Sequence, residues 1–417
     1  MININHILIC LTLLIFTGNV IASTKDVFKD YKNSLVQVRI VDKTTDAKTT
    51  IGSGFFVNNK GLIATNYHVI SLHVFEPEQY RIEYVLHDHN KTKKIYQAKL
   101  INFDVIHDLA LLQSEQKNTL ALKLHDKDLN KGEKIFSVGN PHDLGMAIVV
   151  GTYNGITDDS TNKRIHLSGA INPGMSGGPS ITSSGKVIGV NVATAGNQIG
   201  FLVPVSYLSE LINDKNKPVD FIKYINKQLL RNQNKYIKAI LDKPFKTKKL
   251  GNYQVPDKIA EYLTCWGDSE SKDLPYKTSE NSCATKNDIY LSESFTTGDI
   301  HYSLYHINAE NLSAFRFAYI QEEYFKTPGV HLTGTKKYFT NYECKTEFIK
   351  NKTITFKMSF CLRGYKHFKN IYDLMLSAIS LDNKTTSLQT NLILAGISYD
   401  NAVLFSKKYI EAFSWAP

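Results

Sequence analysis

Cysteine is missing from residues 11–264 of this 417-residue chain; its five copies are Cys10, Cys265, Cys283, Cys344 and Cys361. No two of them form a C-x-x-C pair, which argues against a zinc centre, and no metal or cofactor is expected. Long apolar runs are also scarce. Ile7–Phe16 is an unbroken run of ten residues, too short to span a bilayer comfortably. No internal repeat or low-complexity tract is found, which leaves separately folded domains as the organisation. Acidic residues are few between 213 and 250, where eleven Lys/Arg face three Asp; that segment supplies +8 of the formal net charge of +10. The charge is therefore a local basic element, and the chain as a whole is no nucleic-acid-like polycation.

What is present is ordinary globular composition, 42% hydrophobic and 21% charged, which excludes wholesale disorder. The length suits two domains. The run Ile7–Phe16, then Thr17-Gly18-Asn19 and Val20-Ile21-Ala22, reads as an export signal over 1–22 with cleavage after Ala22. The stretch before the run carries His6 but no Lys or Arg, and a retained anchor is the alternative. The expected location is the bacterial periplasm or the extracellular space. Removal of the signal takes Cys10 with it and leaves four cysteines, an even count that favours disulfides in an exported chain.

Within a first domain, 23–212, residues 35–212 read as many short strands: Leu35–Val41, Ser53–Asn58, Arg81–Leu86, Ala98–Ile101, Leu109–Leu112, Lys134–Val138 and Lys186–Val192. Gly, Asn and Asp punctuate them, as in an antiparallel barrel or sandwich. Over 219–241 the apolar period changes to 3.6, so a helix is predicted within a basic linker, 213–250. Lys223, Lys227, Arg231 and Lys235 recur on one face. They read as a solvated stripe, with an anionic surface as the alternative partner. Residues 251–417 read as a separate α+β unit. In it Ile354, Phe356, Met358 and Phe360 mark a half-buried strand, and Phe368, Ile371, Tyr372, Met375 and Ile379 fit an amphipathic helix. Asp400 is placed as the cap of a last helix running toward Phe413.

The chemistry concentrates in Asn172-Pro173-Gly174-Met175-Ser176-Gly177-Gly178-Pro179. A serine hydroxyl needs a base to take its proton and donors aimed at the oxyanion that forms. A Gly-x-Ser turn can turn the N–H groups of Gly174 and Ser176 into one hole. His68 ends an apolar stretch and Asp108 opens another, in the chain order His, Asp, Ser of chymotrypsin. Asp104 competes with Asp108, but it sits in the preceding loop, where a turn-capping carboxylate is the better reading. His107 and His142 read as loop histidines, and His87 with His89 lacks a third metal ligand.

The blocks Gly52-Ser53-Gly54-Phe55-Phe56-Val57, Ala64-Thr65-Asn66-Tyr67-His68-Val69 and Asp108-Leu109-Ala110-Leu111-Leu112, together with the Ser176 turn, resemble the HtrA/Deg serine proteases. So do Val138-Gly139-Asn140-Pro141 and Ile199-Gly200-Phe201-Leu202-Val203-Pro204. The resemblance implies an all-β chymotrypsin-like double six-stranded barrel and a serine endopeptidase. It implies His68 as base, Asp108 as its orienter and Ser176 as nucleophile, with an oxyanion hole from Gly174, Met175 and Ser176. It also implies a primary pocket floored by Ala170 and walled by Val192, Ala193 and Phe201; without a charge there, small or medium aliphatic side chains are expected. The chain departs from the family where Met175 replaces the usual Asn and Ser168 a frequent Asp, and no PDZ domain is recognisable after 250. Met175 cannot pair with a new N-terminus, so loop ordering rather than zymogen cleavage is expected to set activity. Expected partners are protein or peptide substrates, with self-association open and no nucleic acid. The other classes left open are a polypeptide-binding quality-control protein and a hydrolase of other esters or amides.

Four cysteines allow three pairings. Segment 344–361 reads as a hairpin folded about Lys352–Thr353, which sets Cys344 opposite Cys361. Cys265 and Cys283 then pair by elimination, closing a polar loop.

Overall fold

The computed structural model describes residues 23–87, 93–127, 129–157, 162–194, 196, 198–270, 274–326 and 334–416. The expected export signal 1–22 and His89 lie outside the described residues, as do the side chains of His87 and Ala193. The seven strands expected from the sequence all form, most of them one or two residues longer.

The first sheet is built on Leu35–Asp42, whose Val36, Val38 and Ile40 alternate into the core. Lys48–Phe56 pairs on one side of it and Tyr80–His87 on the other. The full order is Lys93–Gln97, Tyr80–His87, Leu35–Asp42, Lys48–Phe56, Leu62–Thr65, Leu109–Gln113, Lys99–Asp104. This corrects the expectation of two six-stranded barrels: the first layer is a seven-stranded sheet. The added strand, Lys93–Gln97, is largely exposed and is held by the stack of Tyr96 on Tyr84, centroids 5.4 Å apart. The second layer does close as a six-stranded barrel, in the order Ile165–Ser168, Ile199–Pro204, Val187–Thr194, Pro179–Ile181, Lys134–Gly139, Ala147–Ile156. The first two layers give a chymotrypsin-like fold.

Residues 264–397 form a second seven-stranded sheet, entirely antiparallel. Its order is Thr264–Glu270, Lys277–Ala284, Ile300–Asn308, Thr386–Ile397, Tyr372–Ser380, Thr355–Gly364, Glu343–Lys350. Cys344 faces Cys361 and is bonded to it, in the register expected. Cys265 is bonded to Cys283, also directly across a strand pair, so what read as a loop is a second hairpin. Each bridge ties one edge strand of this sheet to its neighbour.

Two expectations fail here. Phe368–Ile379 is no helix; Tyr372–Ser380 is a central strand. Sheet neighbours, helices and loops cover both of its faces, so Leu374, Met375, Leu376, Ala378 and Ile379 form a nearly continuous apolar run in which a 3.6 spacing occurs by coincidence. The last helix, Tyr399–Glu411, is capped by Ser398, which accepts from the Asn401 N–H, while Asp400 sits in its first turn.

The basic helix forms as Phe221–Leu241, capped by Asp220 accepting from the Lys223 N–H at 3.0 Å. It is no solvated linker. Ile225 and Leu229 enter the core of the first sheet, and Ile237 and Ile240 that of the second. Lys223, Lys227, Arg231 and Lys235 line the exposed face.

Candidate active site

The helix Tyr67–Phe75 buries Tyr67, Val69, Ile70, Ser71 and Val74, residues from both of its sides. A helix apolar all round needs cover all round. The first sheet packs on one side, and the hairpin Ile289–Thr297 from the C-terminal unit packs on the other, with Leu291 and Phe295 fully buried in the same core.

Asp108 fixes the start of this helix. Its Oδ1 accepts the His68 backbone N–H at 2.8 Å, one of the donors a helix start leaves unmatched. Its Oδ2 meets His68 Nδ1, also at 2.8 Å. Asn66 completes the clamp by donating from Nδ2 to the Asp108 carbonyl at 2.7 Å. Asp108 itself has φ 61°, the left-handed region, which Asp adopts more readily than most residues. Asp104 behaves as a turn cap: it accepts from the Ile106 and His107 N–H groups and pairs with His107 Nδ1 at 2.6 Å. His107 stacks on Tyr207, centroids 3.7 Å apart. Burial pulls the His68 pKa down. The Asp108 carboxylate, by its charge and its hydrogen bond, outweighs this and leaves the pKa above the ordinary 6.5, with Arg164 opposing.

The Ser176 turn abuts this clamp. A Cβ on Gly177 (φ +85) would meet Ser53 O at 2.2 Å, Thr65 Oγ1 at 2.3 Å and Asn66 N at 3.0 Å, so only glycine lets the turn close on the residue before the helix. A Cβ on Gly174 (φ +93) would lie 2.3 Å from the Asn140 carbonyl. The polar groups of the turn are matched almost throughout. Ser53 donates from N to Ser176 O and from Oγ to Gly174 O, each at 2.7 Å. Gly177 N–H donates to Asn191 O and Gly178 N–H to Met175 O. The Pro173 carbonyl accepts the His142 N–H at 2.9 Å. Met175 N–H donates to Asn172 O at 2.9 Å, and its side chain is fully buried. Met175 is therefore withdrawn from the expected oxyanion donors. The N–H groups of Gly174 and Ser176 have no acceptor among the described residues. Ser176 Oγ donates to the Val192 carbonyl at 3.3 Å.

The loop bearing His142 is braced from the first sheet. Asp143 accepts Gln37 Nε2 at 2.6 Å and pairs with Lys48 at 2.5 Å. His142 and Asp143 both have positive φ, 50° and 59°, a conformation these contacts hold. His142 is thus more than a bland loop residue: its backbone turns the Pro173 carbonyl toward the loop.

Ala170, Val192 and Phe201 are each half-buried. Phe201 pairs in register with His166 on one side and with Ala193 on the other. Two neighbours of the site carried no signal in the sequence. Arg164 donates to the His107 carbonyl at 3.1 Å and acts electrostatically on both Asp104 and Asp108. Tyr290 lies edge-on to His68, centroids 6.0 Å apart and planes at 75°.

Residues 52–190 match the family model for the trypsin-like peptidase domain. The "Probable periplasmic serine endoprotease DegP-like" of Chlamydia muridarum is 34% identical over 164 residues, covering 37% of this chain and 31% of that protein. "Protease Do-like 1, chloroplastic" of Arabidopsis thaliana is 30% identical over 182 residues, 39% of this chain and 38% of that one. The crystal structure of Deg5 covers 45% of this chain and 90% of its own at 27% identity, with a TM-score of 0.39. The chain spans about a third of the length of the curated relatives it matches. Residues 52–190 are thus a trypsin-like peptidase domain, and its curated relatives include DegP-like serine endoproteases.

Proposed function

We propose that the chain is a serine endopeptidase that hydrolyses extracytoplasmic polypeptides through an acyl-enzyme intermediate. The observation that supports this most is the two-point hold of Asp108 on His68, set against a turn whose Gly174 and Ser176 N–H groups have no acceptor among the described residues. In this reading Ser176 Oγ leaves the Val192 carbonyl, turns to His68 and attacks the scissile carbonyl carbon. Its proton passes to His68 Nε2, while Asp108 holds the Nδ1–H and balances the imidazolium. The tetrahedral oxyanion is held by the Gly174 and Ser176 N–H groups. His68 then gives the proton to the leaving amine, and water repeats the sequence to release the acid. The Val192 carbonyl, freed by the serine, is an acceptor for a substrate backbone N–H. Ala170, Val192 and Phe201 line an uncharged primary pocket that takes Ala, Val, Ile or Leu. The working units are 23–212, 213–250 and 251–417. An extracytoplasmic setting is supported by the two cross-strand disulfides and by the relatives whose names read "periplasmic".

The test is a fluorophosphonate probe with turnover of casein and of a small ester panel. Ser176 should be labelled, casein cleaved, and both lost in Ser176→Ala while the fold is kept. Labelling with ester turnover but no peptide cleavage would replace the endopeptidase by another acyl hydrolase. No labelling of Ser176 would end the reading.

A further inference from the structure

The geometry points to Tyr290, from the C-terminal unit, as a specificity-determining wall of the substrate cleft beside His68. The inference rests on the endopeptidase reading above and assigns part of the cleft to a unit outside the trypsin-like domain.

The ring is in position and still partly open. Tyr290 is half-buried and lies edge-on to the His68 imidazole with centroids 6.0 Å apart. His68 keeps 26% of its side-chain surface exposed. A centroid separation of 6.0 Å puts the Tyr290 ring within reach of a substrate residue seated at His68.

The wall is held rigidly. One strand of the hairpin is tied down where the Leu291 carbonyl accepts the Tyr67 hydroxyl at 2.9 Å. Its far end is tied where Thr297 Oγ1 meets Tyr365 OH at 2.7 Å. Tyr365 in turn donates to Asp373 at 2.5 Å, and Arg363 Nε donates to the same carboxylate at 2.8 Å. Between the ends, Phe295 stacks on Tyr338 with centroids 4.3 Å apart. A ring set in such a frame cannot swing aside cheaply, so it discriminates by shape. An aromatic ring standing edge-on beside the base leaves room for small or flat residues flanking the scissile bond and rejects bulky ones. One pocket contact of this kind is worth roughly 10- to 200-fold in discrimination.

The experiment is a positional peptide-library profile of the full-length protein and of Tyr290→Ala, Tyr290→Phe and Tyr290→Trp, with Ser176 labelling measured in parallel. Tyr290→Ala should admit bulky residues at one position adjacent to the primary-pocket residue, by about tenfold or more in relative kcat/KM. Tyr290→Phe should keep the wild-type profile, Tyr290→Trp should narrow it, and the primary-pocket preference should not move. A profile unchanged in Tyr290→Ala and Tyr290→Trp, or a uniform loss at all positions, would overturn the proposal. If Tyr290→Ala does not fold, the Trp variant decides alone. Wild-type protein that neither labels nor cleaves would instead count against the endopeptidase reading itself.

Discussion

The catalytic and C-terminal units of this protein keep their shape by different means. The unit that carries His68, Asp108 and Ser176 has no disulfide among its described residues. Its critical parts are held by hydrogen bonds to backbone groups and by residues at positive φ, among them Asp108, Asp143, Gly174 and Gly177. The C-terminal unit has a large apolar core and a covalent staple at each edge of its sheet. The contrast follows from the work each does. A site needs polar groups at fixed angles, which few substitutions preserve; a frame needs bulk and cross-links.

The sharpest way to break this comparison is at the polar clamp. Asp108→Asn should lower kcat by about 10⁴ with little change in fold, because the amide favours the wrong imidazole tautomer. A loss below tenfold would show that the clamp does not carry the chemistry. The covalent frame is probed next. Each bridge closes a loop of sequence separation 18 or 17, and its removal should destabilise the unit by roughly 3 kcal/mol in the loop-entropy model. Denaturant unfolding of Cys344→Ser/Cys361→Ser and Cys265→Ser/Cys283→Ser measures this, and no shift in either would make the apolar core sufficient.

A third test sets charge against burial inside the frame. Burial raises the Asp299 carboxyl from 3.8 to about 6, helped by the charges of Asp288 and Asp373 and opposed by Thr285. The folded state then binds this proton more tightly than the unfolded chain does. Stability from this group is highest below pH 3.8 and declines as pH rises through 6. Asp299→Asn should stabilise the protein by about 1–2 kcal/mol above pH 7, an advantage that fades in acid. Urea unfolding at both ends of that range checks the sign. The mildest test is the pH profile of kcat/KM. Activity should rise with pH and reach half its plateau above 6.5, since Asp108 favours the charged His68. In Asp108→Asn the midpoint should fall, and a midpoint that stays put would uncouple the pair.

Legibility in the sequence followed the range of the contacts. His68, Asp108 and Ser176 could be read because each sits in a local pattern of glycine and apolar residues that its own turn requires. The Cys344–Cys361 register could be read because a tight hairpin is a local object. The seventh strand of the first sheet escaped because it is an exposed hairpin arm with no apolar alternation. Tyr372–Ser380 was misread because a strand covered on both faces loses its period of two. Met175 looked like an oxyanion donor until its N–H was found on Asn172. Tyr290 could not be read at all: it lies more than 200 residues from His68, and nothing in the sequence around it marks a cleft.

The helix Phe221–Leu241 has a consequence for the way the molecule comes apart. Its first half is part of one hydrophobic core and its second half part of the other, along a rod of 21 residues. Neither core can lose its share of that rod without exposing apolar surface in the other. Melting is therefore coupled along the whole length: calorimetry should show one endotherm where two tethered domains would give two. A cut by another protease within the rod would weaken both halves at once.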